Sequence, residues 1–367
     1  MMRRMVVAGA SGVVGSALVD VLAGEEDWSL VALSRREPEL EVTPDPAWYQ
    51  HLAVDLQDKD QVARAVGSLG PVTHLAYAAL YEKPGLVDGW TAADQMAVND
   101  EMFRNLLAPL AAAGALEHVT LLQGTKAYGA HLHPIPVPAR ERAPRDDHAN
   151  FYFLQEDHLK ATAARAGFAW TVLRPQLIVG GALGAAMNLV PVIGAYGAIC
   201  REAGLPFAFP GGASYVWEAV DARLVAEAAA WAATAPAAAG EIFNLTNGDV
   251  FEWRDLWPAL ADALGLAPGP DHRREMATFL PSHAETWRHV VERHGLRRLS
   301  LADVLGESHH YADLCFNLGD LDEVFPRFLS TIKIRQAGFA SCRDTEDTMR
   351  HWLDVLVRRS ILPAPTR

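Results

Sequence analysis

Gly9, Gly12 and Gly15 stand three apart in the string Gly9-Ala10-Ser11-Gly12-Val13-Val14-Gly15, between a short apolar run and a helical pattern. Glycines at such a junction permit a tight turn and bring backbone amides against a pyrophosphate, which rests on the positive end of the helix. After the second apolar run comes Ser34-Arg35-Arg36, where a protein that prefers NAD usually carries an acid. Two guanidiniums and a hydroxyl suit a ribose 2'-phosphate that a carboxylate would repel, so NADPH is the expected cofactor. Asp55-Leu56, after the third run, is placed to meet the adenine edge, although Asp55 reads equally as a helix N-cap. Ala78, at the end of the fourth run, is expected beside the same nucleotide.

Further on, a strand-like run ends in Gln123-Gly124-Thr125-Lys126-Ala127-Tyr128-Gly129. The carboxyl ends of strands form the ligand crevice in a doubly wound fold, so Gln123, Gly124 and Thr125 are expected along the cofactor. Lys126 and Tyr128 are candidates to face its reactive end. Asn150 to Asp157 reads Asn-Phe-Tyr-Phe-Leu-Gln-Glu-Asp. An ordinary short-chain dehydrogenase has a Tyr here with a Lys one helical turn on, which lowers the phenol's pKa. Four residues after Tyr152 stands Glu156, and four after Phe153 stands Asp157, so that pair is absent. The two acids read as a catalytic pair or as ordinary helix-dipole partners. Arg174-Pro175-Gln176-Leu177-Ile178 follows the sixth run, and Pro175, Leu177 and Ile178 are expected near the nicotinamide carboxamide.

The elements that must position these residues alternate. Met5–Ala8, Ser29–Leu33, His51–Val54, 72–76, Val119–Leu122 and 170–173 read as strands. Helical patterns lie between them at 12–23, 58–68, 102–113 and 156–166. Strict alternation implies βαβ crossovers and a doubly wound parallel α/β sheet. The connection from His131 to Pro144, with Pro134, Pro136 and Pro138, reads as a surface loop, sometimes a lid. An Ala-rich helix at 222–233 and a strand at 242–245 return the chain to the sheet. The expected division is a dinucleotide-binding domain at 1–180 with 219–246, and a smaller, mainly helical substrate lobe at 181–218 and 247–367.

The 367 residues are 50% hydrophobic and 21% charged, a globular composition. With 45 acidic against 32 basic residues and a net charge of -13, a protein that coats nucleic acid is not expected. Three scattered cysteines, Cys200, Cys315 and Cys342, offer no disulfide framework or zinc motif, which fits a reducing cytoplasm. No run is long enough for a membrane span. His131, His133, His148 and the His309-His310 pair lack the spacing of a metal site. Nothing in the sequence decides between a monomer and a homodimer.

Taken together, the glycine string, Arg35-Arg36, Gly124-Thr125-Lys126, the 150–157 string, Arg174-Pro175, Met187-Asn188-Leu189-Val190, Ala198–Gly204 and Asn247-Gly248-Asp249-Val250 resemble the progesterone 5β-reductase and iridoid synthase family of atypical, extended short-chain dehydrogenases/reductases. The likeness runs from Val6 to about Leu356. It implies NADPH-dependent 1,4-reduction of an enone or enal, with hydride to the β-carbon and the enolate oxygen stabilised by a Lys and a Tyr. Lys126 matches the Lys. Family members generally carry two tyrosines where this chain has Tyr152-Phe153, and the second is the one assigned to catalysis; Phe153 cannot donate a hydrogen bond. Either Tyr152 takes over, which needs a backbone shift because a helix turns about 100° between neighbours, or Lys126 with a water or Tyr128 polarises the carbonyl, or the substrate differs from the family's enones. Ala79, Leu80, Phe153, Met187, Tyr215 and Trp217 would wall an apolar pocket for a small hydrophobic unsaturated carbonyl compound. A nucleotide-sugar epimerase or dehydratase, a carbonyl reductase and a non-catalytic NADP sensor are the competing readings.

Overall fold

The computed structural model describes residues 2–319 and 324–365. Seven strands form one parallel sheet: β1 (Arg3–Ala8), β2 (Trp28–Ser34), β3 (Tyr49–Ala53), β4 (His74–Tyr77), β5 (His118–Leu122), β6 (Ala169–Pro175) and β7 (Glu241–Leu245). Their order across the sheet is β7-β6-β5-β4-β1-β2-β3, so the chain starts in the middle, winds outward to β3, and returns to build the other half from β4. The reversal between β1 and β4 opens a crevice at their carboxyl ends, where a doubly wound sheet binds its ligand.

Alternation of side chains along each strand builds two cores. Met5 and Val7 of β1, with Leu30 and Ala32 of β2, face α1 (Val13–Ala23) and the later helices α5 (Leu189–Ala203) and α6 (Ala222–Ala232). Val6, Ala8, Val31 and Leu33 face the opposite way, into α2 (Lys59–Ser68), α3 (Ala93–Ala112) and α4 (Phe151–Ala166). Helices beyond β7 join the first of these cores through Trp253, Trp287, Trp352 and Leu356, all buried. β7 is the strand expected at 242–245, and it lies parallel to β6.

Three boundaries differ from expectation for local reasons. Helix α4 starts at Phe151, a turn earlier than expected, because the Asn150 side chain accepts the Tyr152 amide proton at 3.0 Å. Helix α2 is capped by Asp58, which accepts from the Gln61 amide; Asp55 instead turns its carboxylate to the Gln57 amide at 3.0 Å. Helix α3 starts at Ala93, nine residues before the pattern suggested, because its first turns bury the polar Gln95 and Asn99 beside Met96 and so break the apolar pattern. The Pro-rich loop is stitched down: Ala139 pairs with Leu329, and Asn244 of β7 donates to the Ala139 carbonyl at 3.1 Å. Among the described residues no helix is long and apolar enough to cross a membrane, and no cluster of His, Cys, Asp or Glu could hold a metal ion.

Candidate active site

A cavity of about 780 Å³ runs along the carboxyl edge of the sheet from the glycine turn to the segments around Trp217 and Tyr311. Its nucleotide end is made largely of backbone. Gly9 has a φ of +80°, and a Cβ there would lie 2.7 Å from the Ala79 nitrogen and 2.8 Å from the Ala78 carbonyl group. Only glycine satisfies both demands. A side chain at Gly15 would collide with the Gly9 carbonyl oxygen, so Gly15 packs the turn from behind and does not line the cavity. Ser11, Gly12, Val13 and Val14 do line it, and no side chain caps the start of α1. That combination leaves the first amides of α1 able to receive a pyrophosphate.

Ser34, Arg35, Arg36, Asp55, Leu56 and Ala78 line the same end. The Ser34 hydroxyl donates to the Arg36 carbonyl at 2.6 Å, fixing the turn after β2. Both arginines are exposed, and among the described residues neither makes an ion pair. Their guanidiniums are therefore available to a phosphate. Further along, Gln123, Gly124, Thr125, Pro175, Leu177 and Ile178 line the middle of the cavity. Gln123 is held by Arg174, whose Nε donates to its side-chain oxygen at 2.8 Å.

The other end is built from side chains of separate segments. Lys126 sits on a short 3-10 turn, Thr125–Tyr128, that Gly129 ends in the left-handed region at φ +73°. Its Nζ lies 3.2 Å from Glu82 Oε1 and 3.9 Å from the centre of the Trp90 ring. Burial brings the Lys126 pKa down to about 8, against the opposing pull of Glu82. Burial likewise holds the Glu82 carboxyl above its ordinary range, with Lys126 pulling the other way. His131 lines this end too, and burial, followed by the Lys126 charge, lowers its pKa to about 4, so it is neutral near pH 7. The Tyr152 hydroxyl packs over Gly124, where a Cβ would lie 3.5 Å from it, and burial raises the phenol's pKa.

On α4 the cavity face carries Phe151, Tyr152 and Gln155. Phe153 points about a quarter-turn away, packing its ring 5.2 Å from His148 and under the Arg145 guanidinium at 4.6 Å. It does not line the cavity, contrary to expectation, so the phenol facing the site from this helix, beside the Phe151 ring, is that of Tyr152, with no shift of the backbone. Tyr215 is also outside the lining: its hydroxyl is spent on the Cys315 carbonyl at 2.5 Å. Ala79, Leu80, Met187 and Trp217 are in it. Tyr128 is turned inward, donating to Asn244 at 2.6 Å. Glu156 and Asp157 face away from the cavity, and Glu156 is a buried anchor for Arg174 at 3.1 Å, Lys160 at 2.7 Å and Arg145 at 3.1 Å. Although burial alone would raise its pKa, these partners together hold the Glu156 carboxyl below its ordinary range.

Several residues of this end carry no sequence signal of their own. Glu82 does have one, and sequence reasoning missed it: the residue follows β4 just as Lys126 follows β5, at the same edge of the sheet. Asn150 is recognisable in sequence only as a cap, yet its amide also reaches the Lys126 carbonyl at 3.3 Å and so ties the lysine turn to α4. Trp90, Tyr311 and Arg327 arrive from distant loops and helices that only the folded chain brings together.

A family model described as a PRISE-like Rossmann-fold domain matches residues 5–306. The chain belongs to this family. Among its relatives, a short chain dehydrogenase, gsfE, of Penicillium aethiopicum is 32% identical over 79% of this chain and 82% of its own length. An (S)-8-oxocitronellyl enol synthase of Antirrhinum majus is 30% identical over 92% of this chain and 87% of its own. Solved structures share the fold at lower identity. The UDP-glucose 4-epimerase of Thermus thermophilus in complex with NAD superposes with a TM-score of 0.63 at 21% identity, over 96% of this chain and 98% of that one. WbmH of Bordetella bronchiseptica with NAD+ gives 0.67 at 15%, over 99% and 100%. This PRISE-like protein is accordingly an oxidoreductase.

Proposed function

We propose that this protein reduces the carbon–carbon double bond of a small hydrophobic α,β-unsaturated carbonyl compound at the expense of NADPH. One feature carries the reading: the Lys126 ammonium and the Tyr152 phenol line the apolar end of the same cavity whose other end is the glycine turn. Trp90, Met187, Trp217 and Leu314 give that end its apolar character. Arg35 and Arg36 would hold the 2'-phosphate, on the turn that Ser34 fixes through the Arg36 carbonyl, and the amides at Val13 and Val14 the pyrophosphate. NADPH, when bound, supplies the hydride that reaches the β-carbon and leaves as NADP+. Negative charge then gathers on the carbonyl oxygen, and Lys126 and Tyr152 are the donors prepared for it. A proton from solvent on the α-carbon completes the saturated product.

The missing Tyr-and-Lys pair weighs against an epimerase or dehydratase. The position one turn after Tyr152 is Glu156, turned away and engaged with three cations. The names of the curated relatives, a dehydrogenase and an enol synthase, agree with redox chemistry on small carbonyl compounds. The test is NADPH consumption with 2-cyclohexen-1-one, a linear enal and a steroid enone, with product identification, for the wild type and Lys126→Ala. A saturated carbonyl product and a loss of about 10²-fold or more in the variant are expected. NADPH binding without reduction of any of these enones would sink the reading and leave the sensor in its place.

A further inference from the structure

We propose that Glu82 is a positioning residue that orients the Lys126 ammonium toward the cavity and keeps it protonated. The proposal rests on reading Lys126 as the donor to the carbonyl oxygen. The Glu82 side chain is 2% exposed, and its Oε1 lies 3.2 Å from Lys126 Nζ. The other carboxylate oxygen, Oε2, accepts from Gln95 Nε2 at 2.5 Å. Gln95 is itself pinned, because its side-chain oxygen accepts the Lys83 amide proton at 2.8 Å. One turn further along α3, Asn99 grips the same segment, accepting from the Tyr81 amide at 2.9 Å and donating to the Tyr81 carbonyl at 2.8 Å. Two buried amides of α3 thus clamp the loop that carries Glu82, and the carboxylate cannot swing away without losing its bond to Gln95.

An ammonium has three hydrogens to place. One is directed to Glu82, and the face of Trp90 covers another side at 3.9 Å, where a cation is favoured. The remaining direction is the cavity, which Lys126 lines. Charged and titratable groups facing this point come from every neighbouring segment. The loop after β4 gives Glu82; the loop after the lysine turn gives His131, with His133, His148 and Asp146 behind it; α4 gives Tyr152. Burial keeps His131 and Tyr152 neutral near pH 7, which leaves Glu82 as the carboxylate within 4.0 Å of Lys126 among the described residues. A lysine this enclosed, stripped of that anion, loses its proton more readily and no longer has a fixed direction.

Glu82→Gln keeps the shape and an acceptor for Gln95 while removing the charge. Its alkaline limb of kcat with 2-cyclohexen-1-one is expected to move about one pH unit lower, with kcat at pH 7 down about twofold and at pH 9 about tenfold, and KM for NADPH within about twofold. A second measurement needs no turnover: trace acetylation with acetic anhydride across pH 6–10, read by peptide mass spectrometry with Lys59 as internal reference. Lys126 should titrate at lower pH in Glu82→Gln than in the wild type. An unchanged titration in folded Glu82→Gln overturns the proposal whether or not any enone is reduced. A shifted titration in a protein whose wild type reduces no enone supports the pairing and places the failure in the enone reading. Should Glu82→Gln not fold, Glu82→Asp, which withdraws the charge by one methylene, is expected to give a smaller shift in the same direction, and no shift there also overturns it.

Discussion

At the nucleotide end of the cavity the geometry is carried by the main chain: a left-handed Gly9 against Ala78 and Ala79, an uncapped helix start, and a turn locked by Ser34 on the Arg36 carbonyl. At the reaction end it is carried by side chains from four separate segments, with Lys126, Glu82, Trp90 and Tyr152 buried together. Backbone sites tolerate no added atom but place few demands on distant residues. Side-chain sites depend on buried charge, so small chemical changes alter function while the fold survives. The two ends should therefore fail differently under substitution.

The largest effect is expected at Gly9→Ala. A methyl group there meets backbone at 2.7–2.8 Å and forces an L-residue to φ +80°. Overpacking and left-handed strain together cost on the order of 3 kcal/mol. Thermal unfolding should drop by several degrees and NADPH binding, followed by fluorescence, should be lost; a variant that binds normally would break the claim that backbone geometry governs this end. Next, Arg35→Ala with Arg36→Ala should weaken NADPH on the order of 10³-fold and NADH little, because two charge-assisted contacts go with the 2'-phosphate. Equal losses for both nucleotides would remove the phosphate role.

At the reaction end, Tyr152→Phe should lower kcat about 10²-fold with NADPH affinity unchanged. Protonation separates the ends further. Lys126 has a pKa lowered to about 8, so its charge is present below that pH and lost as pH rises through it. Turnover should fall about tenfold per unit above pH 8, whereas NADPH affinity, resting on arginines, should stay flat from pH 7 to 9. Parallel decline of both would show that the ends are not separable. The smallest effect is expected at Phe153→Tyr. Its ring faces His148 and Arg145, so an added hydroxyl should change kcat by less than about twofold. A large gain would mean that position 153 does reach the substrate.

This same contrast explains what is legible in the sequence. Strands, crossovers and the glycine turn follow from local patterns of period two, period 3.6 and residues suited to φ > 0, so the sheet and nucleotide end can be read almost residue by residue. Lys126 is legible because the end of a central strand is a place where ligands sit. Phe153 and Tyr215 mislead because a position next to a site residue says nothing of which way a side chain turns; Phe153 is a quarter-turn from the cavity, and Tyr215 spends its hydroxyl on Cys315. Glu82 escapes notice because its value lies in a partner 44 residues away. Tyr311 and Arg327 belong to segments whose placement no local pattern encodes.

The bridge between Ala139 and Leu329 bears on how the protein is made. Strands β1 to β6 are complete once Pro175 is available, but α5 and α6 still have to cover the α1 face of the sheet and Gly184 to reach the Arg36 guanidinium. The loop that supplies His131 waits for a partner far down the chain at Leu329, and Asn244 must be in place to hold it. An emerging chain thus acquires strands β1 to β6 before the pocket beside Lys126 closes, and a growing chain cut short before Leu329 would lack a finished place for substrate.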